Sequence, residues 1–246
     1  MNKIVLALIT IFLVSGAFAQ DSINPIHAPL SKKINLGDRP GDHLMFQLSS
    51  DHWTNMPDSI KSHQKGFSRG FNAYIMLDKP FKSNPKYSLG IGVGISTSNI
   101  AFKNMNVDVK APAVTLPFTQ TDSSNHFKKY KLSLGFLEIP VELRFSSNPL
   151  ENGKSFKFAL GAKVGTLINV HTKATDLEDK NNKIINTYKE KENNKRFFNT
   201  TRLSGTARIG YGIFSIFGSY QIGNVLKDVA GPPMKAYQIG LTISGL

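Results

Sequence analysis

The amino-acid sequence predicts an all-β protein: an eight-stranded antiparallel transmembrane β-barrel with short periplasmic turns and long extracellular loops. Three observations support this fold class. Large apolar residues alternate with small or polar ones in eight segments, as expected where one face of a strand meets lipid and the other meets a polar interior. Many of these segments match or exceed the ~9–11 residues that a tilted strand needs to cross a bilayer. The connections between them alternate between long and short.

The N-terminus predicts export from the cytoplasm. Residues 1–3 are a short positively charged start, residues 4–14 are an apolar run, and residues 17–19 (A-F-A) are a cleavage site, which is the anatomy of a signal peptide. The apolar run is shorter than the ~20 residues of a membrane-spanning helix. We therefore expect a signal peptide over 1–19, cleaved after Ala19, an N-terminal periplasmic tail over 20–41 and a barrel domain over 42–246.

The clearest predicted strand covers residues 87–96. Its odd-numbered residues are large and apolar, whereas its even-numbered residues are glycine or serine, which places the two sets on opposite faces. Glycines on one face indicate a crowded barrel interior. The same alternation, followed along the chain, predicts strands over 43–53, 66–78, 86–102, 127–145, 154–172, 199–211, 213–222 and 236–245.

The fourth predicted strand changes the phase of its apolar residues. They are even-numbered from Tyr130 to Phe136 and odd-numbered from Leu137 to Leu143. A one-residue slip of this kind is what a β-bulge produces, so we predict a bulge near Gly135 and Phe136. Two separate strands are the less favoured alternative, because Gly135 is the sole turn residue between the two halves.

The connections predict which end of the barrel faces outward. The long, mostly polar connections are 54–65, 103–126, 173–198 and 223–235. The short ones are 79–85, 146–153 and the junction at Gly212. This asymmetry is typical of an outer-membrane barrel entered from the periplasm, and a soluble sandwich has no reason to keep it.

Aromatic residues fall at both ends of the strands when the first strand runs outward. Interfacial girdles have this arrangement, because the amphipathic rings favour the headgroup level. The periplasmic set is Tyr87, Phe145, Phe156, Tyr211 and Phe214. The outer set is Trp53, Phe67, Phe102, Phe127, Tyr130, Phe197, Tyr220 and Tyr237.

Charge and cysteine content exclude several classes of protein. The chain has 30 Lys and Arg against 17 Asp and Glu, a formal net charge of +13, and no cysteine. A basic surface attracts phosphate, but export argues against nucleic acid as the partner. The absence of cysteine excludes disulfide scaffolds, thiolate zinc sites, iron–sulfur clusters and cysteine nucleophiles.

Seven charged residues on three consecutive predicted strands would face the barrel interior. They are Glu138, Glu142, Arg144, Lys157, Lys163, Arg202 and Arg208. Charges in such a place need partners or water, so we predict a lumen charge network that fixes the strand register. A proton or anion path is less favoured because side chains largely fill an eight-stranded barrel. Hydrolysis by Glu138 and Glu142 is less favoured because the facing bases suit them for pairing.

Arg69 lies between two phenylalanines on the predicted outward face, near the outer rim. An arginine there can contact lipopolysaccharide phosphate, because its guanidinium forks around phosphate oxygens. The favoured alternative is a rim residue that extends toward the headgroups without a specific ligand.

Two rim histidines raise the possibility of an enzyme that acts on lipid. His52 follows Asp51, and His126 follows Asp122 and two serines. Catalysis needs a histidine with an orienting carboxylate and a nucleophile or water. Loops are rich in Ser and Asp, so chance proximity explains these pairs, and we predict that the protein is not an enzyme. No histidines have metal-ligand spacing, and we expect no metal and no cofactor.

Several segments resemble a known family. They are G-D-R-P-G-D-H-L-M-F-Q-L (37–48), Trp53, P-D-S-I (57–60), G-F-S-R-G-F-N (66–72), Y-S-L-G-I-G-V-G-I-S (87–96) and F-L-E-I-P-V-E-L-R-F (136–145). Together they look like the outer-membrane β-barrel proteins of Bacteroidetes that are described as PorT-like. The resemblance implies an outer-membrane barrel reached through a signal peptide, and more weakly a link to protein secretion. The chain ends in Leu246, not in the terminal aromatic residue common in other bacterial barrels.

These observations favour a non-enzymatic, monomeric outer-membrane barrel that acts structurally or by binding through its extracellular loops. The expected partners are outer-membrane lipid, lipopolysaccharide and other envelope proteins, with no nucleic acid. The alternatives are a component of a secretion or gliding apparatus, a lipid A-modifying barrel enzyme and a small channel.

Overall fold

The computed structural model of the protein describes residues 43–65 and 68–245. The predicted signal peptide and periplasmic tail lie outside the described residues. So do the predicted start of the second strand at Gly66 and Phe67, and the C-terminal Leu246. No helix in the described part of the chain is long and apolar enough to cross a membrane.

Nearly all regular structure in the described residues is β-strand, as predicted. The strands are β1 (Leu44–Thr54), β2 (Arg69–Pro80), β3 (Tyr87–Phe102), β4 (Met105–Val107), β5 (Phe118–Gln120), β6 (His126–Ser146), β7 (Phe156–Glu178), β8 (Ile184–Asn193), β9 (Thr201–Tyr211), β10 (Phe214–Gln221) and β11 (Lys235–Ser244). One short helix, α1 (Asp58–Lys61), follows β1, and a single 3-10 turn (Asn152–Lys154) precedes β7.

Eight of the strands close into a barrel. The order of hydrogen-bonded neighbours is β6-β3-β2-β1-β11-β10-β9-β7, and β6 also pairs with β7, so the sheet has no open edge within the barrel. Every pairing is antiparallel. The predicted eight-stranded antiparallel barrel is therefore confirmed.

The predicted alternation of long and short connections is confirmed, with extra structure in two of the long ones. The turn between β9 and β10 contains Gly212 with a φ of +61°, a conformation that favours glycine. The connection predicted as a loop over 103–126 contains the β4–β5 hairpin. The one predicted over 173–198 contains the extension of β7 to Glu178 and the added strand β8. The sequence did not predict β8 because both its faces are exposed and lack apolar alternation.

The apolar side chains of the barrel face outward, and their polar neighbours face the interior. Leu48 and Leu241 are 64% and 63% exposed, whereas Gln47 and Thr242 beside them are buried and joined by a 3.1 Å hydrogen bond. We call the outward ring of apolar side chains the apolar band. On five neighbouring strands its extracellular limit is marked by Leu48, Phe71, Ile95, Leu137 and Ile168.

The predicted irregularity at Gly135 and Phe136 is present, but its extra residue lies on the neighbouring strand. The register between β6 and β7 shifts there. Gly135 pairs with Asn169 and Phe136 pairs with Leu167, which leaves Ile168 as the additional residue of β7. Against β3, β6 pairs without any shift.

The phase change in β6 has another cause than a bulge. Even-numbered residues of β6 stay buried all the way from Tyr130 to Arg144, so the same face of the strand points inward over this whole length. Apolar residues change sides at Leu137 because β6 leaves the membrane there. Below Leu137 the apolar phase faces lipid, whereas above it the apolar phase faces a core that fills the extracellular end of the barrel.

This extracellular core is continuous and drawn from strands and loops alike. It consists of Trp53, Ile60, Ile100, Phe102, Met105, Val107, Val109, Leu116, Tyr130, Leu132, Leu134, Phe136, Leu167, Val170, Ala174, Phe197, Phe198, Val225, Leu226, Ala230 and Met234. Backbone hydrogen bonds join the loops over it, including Leu116 N–H to the Ala230 carbonyl at 2.8 Å. The long connections therefore form one folded unit.

The extracellular core corrects the prediction of an outer aromatic girdle. Trp53, Phe102, Tyr130 and Phe197 are at most 8% exposed and belong to this core; they do not face lipid. Tyr220 does remain on the outward face. The prediction failed because the strands continue beyond the bilayer, so the end of a strand is not the membrane interface.

Candidate functional site

Two clusters of ion pairs fill the barrel interior at the level of the apolar band. The cluster nearer the periplasm surrounds Glu142. Its Oε2 accepts hydrogen bonds from Arg144 Nε at 2.9 Å and from Arg208 Nη2 at 3.0 Å. Arg144 also reaches Asp78, with Nη1 3.5 Å from Oδ1, and Ser88 donates a 2.7 Å hydrogen bond to the same oxygen.

The second cluster surrounds Glu138, four residues further out on β6. Tyr74 Oη donates a 2.6 Å hydrogen bond to Glu138 Oε2. Lys163 Nζ lies 3.8 Å from the same oxygen, and Arg202 Nη2 lies 2.5 Å from Oε1. The Arg202 guanidinium also stacks over the Phe136 ring at 4.2 Å, which joins this cluster to the extracellular core.

The structure places all seven sequence-predicted lumen residues in the interior. Each is at most 7% exposed. Six of them join the two clusters, and Lys157 is buried on the same face of β7, opposite Ser146 of β6. Buried charges of this kind are stable only where partners and hydrogen bonds satisfy them. The arrangement holds strands together across the interior, and it leaves no carboxylate pair directed at an open substrate site.

Sequence reasoning missed two members of the clusters, Asp78 and Tyr74. Both lie on the inward face of β2, whose outward residues alone had marked the strand. Their even-numbered phase, shared with Asn72 and Met76, was the signal that could have found them. The sequence also did not identify Asp51 as inward-facing: its side chain is 1% exposed and accepts a 3.1 Å hydrogen bond from Gln238.

The two rim histidines do not form the pairs that the sequence suggested. His52 lies on the opposite face of β1 from Asp51, and its Nε2 is 2.9 Å from Ser50 Oγ. His126 Nε2 lies 3.2 Å from Asn182 Oδ1 and 3.7 Å from a carboxylate oxygen of Glu178. Neither histidine has a catalytic arrangement of carboxylate and nucleophile around it.

Asp122 pairs instead with His63, a residue that the sequence did not single out. His63 Nε2 lies 2.8 Å from Asp122 Oδ2, and His63 Nδ1 donates to the Ser59 carbonyl at 2.8 Å. The hydrogen bond to Asp122 raises the pKa of His63, against an opposing effect of burial. The hydrogen bonds from His63 and Asn104 lower the pKa of Asp122. This pair ties the β1–β2 connection to the connection that precedes β6.

Arg69 is exposed on the outward face at the start of β2, as predicted. It lines a groove of about 650 Å³ on the outside of the extracellular part. The other cations along this groove are Lys65, Lys129, Lys131, Lys173 and Lys189. We call these six side chains the basic groove. Within residues 43–65 and 68–245, no cluster of three potential metal-binding side chains is found.

The fold and the interior together define the class of protein. A closed barrel of eight antiparallel strands, with an apolar outer band and ion pairs inside, is a membrane β-barrel.

Comparison of the sequence with models of known protein families identifies its family. The sequence model of the family described as outer membrane protein beta-barrel domain matches residues 18–223, and the chain belongs to this family. It is an outer-membrane β-barrel protein. Among solved structures, the chain is similar to the crystal structure of Ail, the attachment invasion locus protein of Yersinia pestis. The two are 12% identical, with 82% of this chain and 94% of that chain covered and a TM-score of 0.34. No curated protein sequence matches the chain.

Proposed function

We propose that the protein is a non-enzymatic, monomeric outer-membrane barrel that binds other envelope components through its extracellular part. One observation carries the proposal: side chains fill the barrel interior at two levels. Ion pairs fill it within the apolar band, and the extracellular core fills it above the band. A barrel filled in this way suits neither conduction nor access of a substrate. The folded extracellular unit is what the chain offers to partners.

Two loop positions allow a direct test. Val114 and Val229 are 75% and 71% exposed on the extracellular connections β4–β5 and β10–β11. We expect a photo-reactive side chain at either position to cross-link to an envelope protein or to lipopolysaccharide in intact cells. Glu151 is exposed on a periplasmic turn and gives the matched control, which should not capture the same species.

Three outcomes contradict the proposal. The first is a lack of cross-links from both extracellular positions. The second is a steady unit conductance of the purified protein in planar bilayers, which would indicate a channel. The third is an altered lipid A mass spectrum on deletion of the chain, which would indicate the lipid A-modifying enzyme.

We also propose a Bacteroidetes origin, a PorT-like relationship and a signal peptide cleaved after Ala19. The segment 136–145 supports the relationship, because it alternates lipid-facing residues with Glu138, Glu142 and Arg144 of the interior clusters. A stoichiometric complex with secretion or gliding components, isolated with the tagged chain, would favour a role in such an apparatus. The mass of the mature protein tests the cleavage site.

A further inference from the structure

The charged side chains that line the basic groove are all basic. Its lysines come from the β1–β2 connection, β6, β7 and β8, and no carboxylate in the described part of the chain lines it. Strand β8 shows how bases and acids come to lie on different faces of the sheet. Lys189 faces the groove, whereas Glu190 and Glu192 face a separate cleft on the other side of the sheet. The K-E-K-E alternation of an exposed strand therefore puts bases on one face and acids on the other.

Two lysines of the groove, Lys131 and Lys173, lie side by side on neighbouring strands. Lys131 of β6 pairs directly with Lys173 of β7 in the strand register, and like charges placed opposite each other destabilise a sheet. Lys131 Nζ does donate a 2.8 Å hydrogen bond to Asn99 Oδ1, but an amide oxygen carries no charge. A bound anion would remove the repulsion and make the site more stable.

The groove begins at the level of the outer-leaflet headgroups, at Arg69, and extends outward from there. Arg69 is two residues beyond Phe71, and Lys131 is six residues beyond Leu137, at the edge of the apolar band. With a rise of about 3.3 Å per residue and a strand tilt of about 40°, the two side chains start roughly 5 and 15 Å beyond the band. Below them, Phe71, Ile95 and Leu137 offer an exposed apolar surface suited to acyl chains.

We propose that the basic groove binds the phosphate groups of a lipopolysaccharide molecule of the outer leaflet, whose acyl chains lie on the adjoining apolar band. The ligand is amphipathic in the same sense as the site: its anionic phosphates suit the cations, and its hydrocarbon suits the apolar band below them. This inference rests on the proposed function and names a partner and a surface for it.

The test uses the full mature chain, refolded in detergent, with binding of purified lipopolysaccharide measured at moderate salt. The variant is R69Q/K131Q/K173Q. The matched control is K82Q/K86Q/K154Q, which removes the same charge from exposed lysines of the periplasmic turns. We expect the groove variant to lose at least about tenfold in affinity, since each contact is charge-assisted, and the control to bind like the wild type. Heat-modifiable gel migration verifies that each variant is folded.

Two further measurements identify the ligand chemistry on the wild-type protein, and so do not depend on the variant folding. Dephosphorylated lipopolysaccharide should bind much more weakly than intact lipopolysaccharide, and inorganic phosphate at millimolar concentration should compete poorly. Equal binding of the dephosphorylated form, full competition by phosphate, or equal loss in both triple variants would overturn the inference. Cross-linking to an envelope protein from Val114 and Val229 would then still support the proposed function, so the two failures are distinguishable.

Discussion

Tyr74 and Glu138 are hydrogen-bonded across an intervening strand, over a glycine that lies between them. The Tyr74 hydroxyl donates to Glu138 Oε2 at 2.6 Å, although β3 separates their two strands. Gly94 of β3 pairs with Tyr74 on one side and with Glu138 on the other. Because Gly94 has no side chain, the two polar groups meet above its backbone. The glycine face of β3 therefore leaves the space in which the interior side chains of neighbouring strands meet.

Adding a methyl group at this crossing should destabilise the barrel. A Cβ at Gly94 would lie 2.6 Å from Tyr74 Cα, a backbone atom that cannot move without parting the strands. We expect Gly94→Ala to lower the free energy of unfolding by about 1–3 kcal/mol, measured by urea titration in detergent. Gly218→Ala is the control, since a Cβ there meets nothing within 4 Å; equal loss in both variants would contradict this account.

Neutralising the carboxylate of the periplasmic cluster should have a larger effect. Glu142 accepts hydrogen bonds from Arg144 and Arg208, so Glu142→Gln leaves two buried guanidinium groups without their shared counter-charge. We expect a loss of about 3–5 kcal/mol in unfolding free energy and a lower temperature for heat-modified migration. Glu151→Gln, on an exposed turn, should stay within about 0.5 kcal/mol of the wild type. An unchanged midpoint for Glu142→Gln would show that the cluster does not stabilise the barrel.

The sequence predicted the barrel well because period-two alternation depends only on each strand. The same alternation identified Glu138 and Arg202 as inward-facing, since neighbouring apolar residues fixed their phase. It could not identify the membrane boundary, because apolar residues face lipid below Leu137 and a protein core above it. It could not identify the contact of His63 with Asp122 either, because that pair joins two loops far apart in the chain and depends on the tertiary fold.

The extracellular core should be separable from the barrel in stability. Phe198 is fully buried in this core, so Phe198→Ala removes packing worth about 3–5 kcal/mol. We expect the extracellular loops to become much more sensitive to protease in intact cells, while the protein remains in the outer membrane and heat-modifiable. Phe214→Ala removes a ring of the same size that is 62% exposed on the outward face, and should leave loop proteolysis unchanged. If both variants resist protease like the wild type, the core does not hold the loops.

The contact between His63 and Asp122 should make local order depend on pH. Its hydrogen bond to Asp122 raises the pKa of His63, so this stabilisation is fully present below about pH 6.5 and is lost as pH rises through the raised value. The pKa of Asp122 is lowered, chiefly by the hydrogen bond from His63, so its contribution persists above about pH 4 and is lost only in stronger acid. The charged pair is therefore strongest in mildly acidic solution.

We expect amide hydrogen exchange over 58–65, corrected for intrinsic rates, to be severalfold slower at pH 5.5 than at pH 8.5, and Asp122→Asn to abolish the difference. Amides of β1 near His52, which has no carboxylate at its Nε2, serve as the internal control. Equal protection at the two pH values in the wild type, or the same pH dependence in Asp122→Asn, would exclude the pair as the cause.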